Sequence, residues 1–287
     1  MSGHGSVIPG ARDRTGNDPI FIWAGEAVRR AKAGEDIVNA TIGALTRDDG
    51  VLYTLPTVLE TLRRHQTHET AGYAPISGLP AFRAAVVRDL FGDGPLASKA
   101  VAVTCPGGSG AVYQAVVNFL EPGQKMLVPS FFWGPYRAIT DHGARGLDPF
   151  EMFAGDGSFD LAGLAAGLDR HLTEQGRALV VLNFPCHNPT GYTLSAEEWG
   201  RVCDIVRDAG SRGPVAVLID AAYMEFGGGA ARGWVDFVRR LMEHATVLVA
   251  WTASKSMAQY GARIGAIVGL HRDPDEVKQM DNAFGFT

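Results

Sequence analysis

The sequence predicts an α/β protein: a mostly parallel central sheet with helices on both faces. Short, continuous apolar runs of strand length recur beyond residue 100, the clearest at 178–184 and 245–251. Segments with apolar residues at helical spacing alternate with them, the pattern of parallel strands joined by helical crossovers. The residues best suited to chemistry fall just after the apolar runs, where open α/β sheets bind their ligands.

Taken in order, residues 18–50 read as an amino-terminal arm, with a short helix over 24–33 and extended chain through Ile37-Val38-Asn39. From Leu55 the pattern turns helical, placing Val58, Leu59 and Leu62 on one face. Tyr73-Ala-Pro-Ile-Ser-Gly78 is a loop by its Pro and Gly content, and Pro80 opens a helix carrying Phe82, Val86 and Leu90. A β-branched strand at 101–104 precedes a glycine turn and a helix over 111–120. A strand over 125–128, a helix over 161–172 and the buried strand at 178–184 come next. Ser195-Ala-Glu-Glu198 predicts a capping box ahead of a helix striped by Trp199, Val202, Cys203 and Val206. Strands at 215–219, 245–251 and 264–270, with a helix over 234–244, complete the alternation.

Composition narrows the function classes. The chain has 287 residues, 46% of them hydrophobic and 20% charged, ample for a large core. Its 31 acidic and 26 basic residues give a net charge of −5, which argues against nucleic-acid binding. Three scattered cysteines, Cys105, Cys186 and Cys203, suit neither a disulfide framework nor a thiolate metal site, so no metal is expected. Residues 1–17 lack the apolar stretch of a signal peptide, and no apolar run approaches a membrane span. A soluble, cytoplasmic protein is expected.

Four segments carry candidate chemistry. Cys105-Pro-Gly-Gly-Ser-Gly110 opens a helix after a strand, where glycines and free N–H groups suit an anion; such a turn is equally often structural. Asn188, in Pro185-Cys-His-Asn-Pro-Thr-Gly191, is either plain turn chemistry or a donor to an anionic oxygen, while His187 reads as a packed residue. Asp220, ending a buried strand, is an ion-pair or capping carboxylate, or the partner of a buried cationic ring nitrogen. Lys255 ends another buried strand. Desolvation there would lower its proton affinity and suit Schiff-base chemistry, with Thr252, Ser254 and Arg263 placed as phosphate ligands; a solvated loop lysine is the plainer alternative.

In order and content these strings resemble the class I pyridoxal-phosphate-dependent aminotransferases, within them the aspartate and aromatic amino acid aminotransferase family. The matching strings are Tyr73-Ala-Pro-Ile-Ser-Gly78, Pro106-Gly-Gly-Ser-Gly-Ala111, Cys186-His-Asn-Pro-Thr-Gly191, Asp220-Ala-Ala-Tyr223 and Ser254-Lys255 with Arg263. Asn39-Ala-Thr-Ile-Gly43, followed by Arg47-Asp-Asp-Gly50, resembles that family's amino-terminal substrate loop and marks Gly43 as substrate-binding. The likeness runs from about Asp18 to the last residue.

The resemblance implies a fold-type I pyridoxal-phosphate transferase large domain over 51–287, an arm and substrate loop over 1–50, and no carboxy-terminal small domain in this chain. That domain would supply the arginine that grips the substrate α-carboxylate. Lys255 would be the Schiff-base lysine for pyridoxal 5'-phosphate, and Asp220 would keep the pyridine nitrogen protonated. Tyr223 and Asn188 would hydrogen-bond the cofactor's phenolic oxygen. Gly108, Ser109, Thr252, Ser254 and Arg263 would bind its phosphate, with Tyr73 reaching the phosphate of a neighbouring subunit in a homodimer. Trp133-Gly-Pro-Tyr136 resembles the family's Trp-x-Asn-His segment and favours Trp133 as the ring stacked on the cofactor; aligning the preceding Pro-Ser selects Phe131 instead. Tyr136 stands where the family often has histidine. The expected activity is ping-pong transfer of an amino group between an acidic or aromatic L-amino acid and a 2-oxo acid. A pyridoxal-phosphate lyase or decarboxylase on the same fold, or a truncated non-catalytic relative, are the alternatives.

Overall fold

Alternation of side chains across each strand dictates the layering of this molecule. The computed structural model describes residues 6, 8, 11, 19–41, 43–64, 72–228 and 232–287, so Asp18 and Ile42 of the expected arm and loop, and most of 1–17, lie outside it. The chain divides into two units, Met1–Tyr53 and Thr54–Thr287.

In the first unit, helix α1 (Pro19–Lys32) starts earlier than the expected residue 24. Proline is preorganised for a first helical turn, which outweighs the β-branched Ile20 and Ile22 that argue against a helix there. Arg29, Arg30 and Lys32 in its last turn complement the helix dipole. Beyond it the Asn39 side chain accepts from the backbone N–H and hydroxyl of Thr41, and a bridge pairs Thr46 with Leu52.

In the second unit, α2 (Pro56–Arg64) and α3 (Pro80–Phe91) precede the sheet. There follow β1 (Ala100–Pro106), α4 (Gly107–Phe119), β2 (Lys125–Pro129), α5 (Pro135–His142), β3 (Gly146–Phe150), α6 (Leu161–Gln175), β4 (Ala178–Leu182) and α7 (Ala196–Gly210). Then come β5 (Val215–Asp220), α8 (Val235–Met242), β6 (Thr246–Thr252), α9 (Ala253–Ser256), β7 (Ile264–Leu270) and α10 (Pro274–Phe286). The strands form one seven-stranded sheet in the order β1-β7-β6-β5-β4-β2-β3. Every strand runs the same way except β7, which is antiparallel to both β1 and β6.

Alternate residues of the central strands feed two cores, one on each face. Val180, Leu182, Val217, Ile219, Val247 and Val249 pack towards α3, α6, α7 and α8. Leu179, Val181, Ala216, Leu218, Leu248 and Ala250 pack with α4, α5 and α10. The capping box forms as expected: Ser195 Oγ accepts the Glu198 N–H at 3.2 Å and Glu198 returns by accepting the Ser195 N–H at 2.7 Å. No helix among the described residues is long and apolar enough to cross a membrane.

Two local departures matter for the site. The expected glycine turn before residue 111 does not exist, because Gly107 to Gly110 already form the first turn of α4. Gly107 takes φ +69°, closed to most L side chains, and a Cβ on Gly265 of β7 would lie 2.4 Å from the Gly107 carbonyl carbon. Backbone meets backbone here, and this contact fixes where α4 begins over the sheet. Replacing Gly265 with Ala should therefore destabilise the fold by about 1–3 kcal/mol, the usual cost of overpacking. Urea unfolding of Gly265→Ala beside the parent checks this.

Candidate active site

Because β1, β4, β5 and β6 run together, their carboxyl ends share one edge of the sheet, and β7, running against them, starts at that same edge. This is why Arg263, which precedes a strand, meets residues that follow strands.

One end of the site is cationic. The first turn of α4 has no side-chain cap and no acidic residue, so its N–H groups have no partner within the helix. A Cβ on Gly107 would lie 2.5 Å from the Arg263 guanidinium, which places that cation against the positive end of the helix dipole. Arg263 holds a left-handed φ of 53°, a conformation that costs a non-glycine residue about 1–3 kcal/mol. Its guanidinium donates to the Tyr260 carbonyl at 3.0 Å and the Ser254 hydroxyl at 3.4 Å. Among the described residues no carboxylate forms an ion pair with it. Gly108 faces the Thr252 side chain at 3.6 Å from an ideal Cβ, and Ser109 sits half-buried in the same helical turn. Thr252 Oγ1 accepts the Ser254 N–H at 3.1 Å and lies 3.0 Å from Ser254 Oγ. Gly108, Thr252, Ser254 and Arg263 thus meet at one corner, with Ser109 in the helical turn of Gly108.

The other end is anionic. Asp220 closes β5, whose every residue is buried. Its Oδ2 accepts the Tyr136 phenol at 2.6 Å and its Oδ1 the Ala222 N–H at 3.2 Å. No Lys, Arg or His among the described residues pairs with it. Burial pushes the Asp220 carboxyl above its ordinary range, and the Tyr136 hydrogen bond opposes that rise. No ion pair forms at Asp220 among the described residues, while the Ala222 N–H bond is a local cap on the turn after β5.

Lys255 lies within α9, with Nζ 5.0 Å from the ring centre of Tyr260 and 5.4 Å from that of Tyr223. Burial, and then the charge of Arg263, hold its amine below the ordinary lysine range. Asn188 Nδ2 donates to the Tyr223 hydroxyl at 3.4 Å. Burial and the nearby Asp220 charge raise the Tyr223 phenol. The Asn188 backbone is in turn held by Asn183 Oδ1 at 2.8 Å, and Asn183 Nδ2 reaches the Asp220 carbonyl at 2.9 Å. Asn183 and Tyr260 belong to this constellation but escaped the sequence reading. Asn183 was findable, as a lone amide inside the run Val181-Leu-Asn-Phe184. Tyr260 lies in a loop without periodicity and gave no signal.

Trp133 packs edge-on against Tyr136, ring centres 5.4 Å apart. Phe131 is exposed and rests on Phe153 at 6.0 Å. Tyr73 is fully exposed and outside this cluster, and Gly43 belongs to the first unit. His187 is buried as a packed residue, its Nδ1 2.9 Å from Thr190 Oγ1, and burial lowers its titration to about 4.

Two outcomes follow from these charges. Arg263→Gln should move Lys255 part of the way back towards an ordinary lysine, because burial, the larger cause, remains; competitive acetylation against pH, read by peptide mass, measures it. Since the fold raises the Asp220 carboxyl, keeping it ionised costs stability once the pH exceeds its folded value. Asp220→Asn should therefore melt higher than the parent in ligand-free protein at neutral pH, by calorimetry.

Comparison with known proteins shows the family. The model of the family "Aminotransferase class I and II" matches residues 35–286. An aspartate aminotransferase of Pseudomonas aeruginosa is 28% identical over 247 residues, covering 83% of this chain and 60% of its own length. An aromatic-amino-acid aminotransferase of Paracoccus denitrificans is 29% identical, covering 78% of this chain and 56% of its own. The chain therefore spans about three fifths of the length of these curated relatives. Among solved structures, an aminotransferase from Anaerococcus prevotii superposes with a TM-score of 0.90 at 30% identity, covering 98% of this chain and 70% of that one. An aromatic-amino-acid aminotransferase from Burkholderia pseudomallei, covalently bound to pyridoxal phosphate, gives 0.78 at 25% identity, covering 100% and 71%. These likenesses confirm the fold-type I architecture, with β7 as the antiparallel exception in a largely parallel sheet. With a family match running from the first unit through every strand-end residue of the second, the chain belongs to the class I and II aminotransferases.

Proposed function

We propose that this protein uses pyridoxal 5'-phosphate to transfer amino groups between L-amino acids and 2-oxo acids. The observation that carries the reading is a pair of charges with no ion-pair partner among the described residues: the Arg263 guanidinium beside a helix amino end, and the buried Asp220 carboxylate. A ligand with a phosphate at one end and a protonated ring nitrogen at the other neutralises both, and the donor set fits it.

Bound there, the cofactor supplies an electrophilic carbonyl carbon and a ring that takes up the electron pair released at the substrate's α-carbon. The first-turn amides at Gly108 and Ser109, with Thr252, Ser254 and Arg263, would hold the phosphate. Asp220 would keep the proton on the ring nitrogen. Asn188 and Tyr223 would donate to the ring's phenolic oxygen, and Trp133, edge-on against Tyr136, would supply the stacked ring. Lys255 Nζ, desolvated and beside Arg263, gives up its proton at lower pH than an ordinary lysine, so it serves as nucleophile and then as the base that shuttles the α-proton.

The finer reading is a ping-pong route with an acidic or aromatic substrate, in line with the names of the relatives. It places Gly43 in a substrate loop on an arm over 1–50, and the cofactor-binding large domain over 51–287. Tyr73 projects fully exposed, as a residue reaching a neighbouring subunit of a homodimer would. A cytoplasmic setting suits the three free cysteines.

Adding pyridoxal 5'-phosphate, reducing with borohydride and mapping peptides should label Lys255 and no other lysine. Lys255→Ala should abolish that label together with aspartate- or phenylalanine-dependent turnover in the presence of 2-oxoglutarate. Label spread over surface lysines in the parent would overturn the reading.

A further inference from the structure

The residue beneath Asp220 is a tyrosine, 84 positions earlier in the chain, and both side chains are buried. The groups facing the carboxylate are few. From α5 comes the Tyr136 phenol at 2.6 Å, and from the segment after β5 the Ala222 N–H at 3.2 Å and the Tyr223 phenol. From the end of β4, Asn183 reaches only the Asp220 backbone carbonyl. Tyr136 is thus the one side chain that donates to this carboxylate among the described residues.

We propose that Tyr136 is a positioning residue of the site, a neutral phenol donor that fixes and stabilises the Asp220 carboxylate for a cationic ring nitrogen. This rests on the cofactor reading above. Burial, followed by the charge of Asp220, pushes the Tyr136 phenol well above its ordinary range, so it keeps its proton at every pH where an ordinary tyrosine does. The donor therefore stays constant with pH. It also adds no positive charge, so the carboxylate retains its full attraction for a cationic ligand. Trp133 meets the ring edge-on at 89°, and one turn later the Thr140 hydroxyl donates to the Tyr136 backbone carbonyl at 3.1 Å. Each carboxylate oxygen keeps a lone pair beyond its present bond, so the phenol orients the group without saturating it.

The test reads the carboxylate itself, in cofactor-free protein carrying 13C-carboxyl aspartate. The NMR signal lost in Asp220→Asn identifies Asp220, and its pH titration is followed. Tyr136→Phe should raise the midpoint by roughly one pH unit or more, the effect of removing a hydrogen bond to a charged group. Replacing Tyr136 with 3,5-difluorotyrosine, an isosteric and stronger donor, should lower it; this arm decides the question if Tyr136→Phe fails to fold. Tyr136→His puts a titrating cation in the same place and should lower the midpoint while making it depend on a second ionisation. A merely structural role would shift melting temperature and leave these midpoints together. Midpoints unmoved in folded variants overturn the proposal. Because no cofactor is present, that failure is separate from failure of the Lys255 labelling, which would remove the cofactor reading and leave the Tyr136–Asp220 coupling standing.

Discussion

Two charges with no ion-pair partner among the described residues, held at one edge of a sheet, govern the rest of this structure. Arg263 lies against the amino end of α4, and Asp220 is buried with a phenol and one amide for company. Neither arrangement is favourable in isolation: like charges are brought together at one end, and a carboxylate is taken out of water at the other. The surrounding fold has to be rigid enough to impose both. The strands β4, β5 and β6, buried throughout except at Thr246, supply that rigidity, since a slip of one residue in any of them would exchange the two cores.

The backbone does the placing. A single reversed strand, β7, brings Arg263 to the edge where β1, β4, β5 and β6 end. Glycine at 265 lets the start of α4 sit directly on that strand, and glycine at 107 lets the guanidinium approach the helix. The left-handed backbone at Arg263 belongs to the same design, with local strain spent on aiming one cation. Lys255 then sits between the two ends, framed by Tyr223 and Tyr260, with its proton affinity lowered mainly by burial.

Much of this was legible in the sequence, for a physical reason. A strand covered on both faces must be apolar throughout, so runs such as 178–184 and 215–219 announce themselves, and polar residues in the few positions after them stand out. Asn188, Asp220 and Lys255 are legible in that way, and the capping box at Ser195 is just as local. The edge strand β3, Gly-Leu-Asp-Pro-Phe, was not legible: it is only half covered, holds a proline and shows neither a run nor an alternation. Helix α5 is short and starts in a loop of aromatic residues, so its period is lost. The significance of Tyr136 was hidden for the same reason that it matters: its partner is 84 residues away. The start of α4 was misplaced because glycines read as a turn, whereas close packing on Gly265 makes them helical.

The central claim, that a ligand bearing opposite charges at its two ends completes this site, is tested most directly by differential melting. The 287-residue chain is heated alone, with pyridoxal 5'-phosphate, and with pyridoxal, which lacks the phosphate. Ligand that binds only the folded state raises the melting temperature in proportion to its affinity. The account predicts a clear rise with the phosphate ester and a much smaller one with pyridoxal, since the Arg263 corner is then left without its anion. Equal shifts from the two ligands, or none from either, would contradict it.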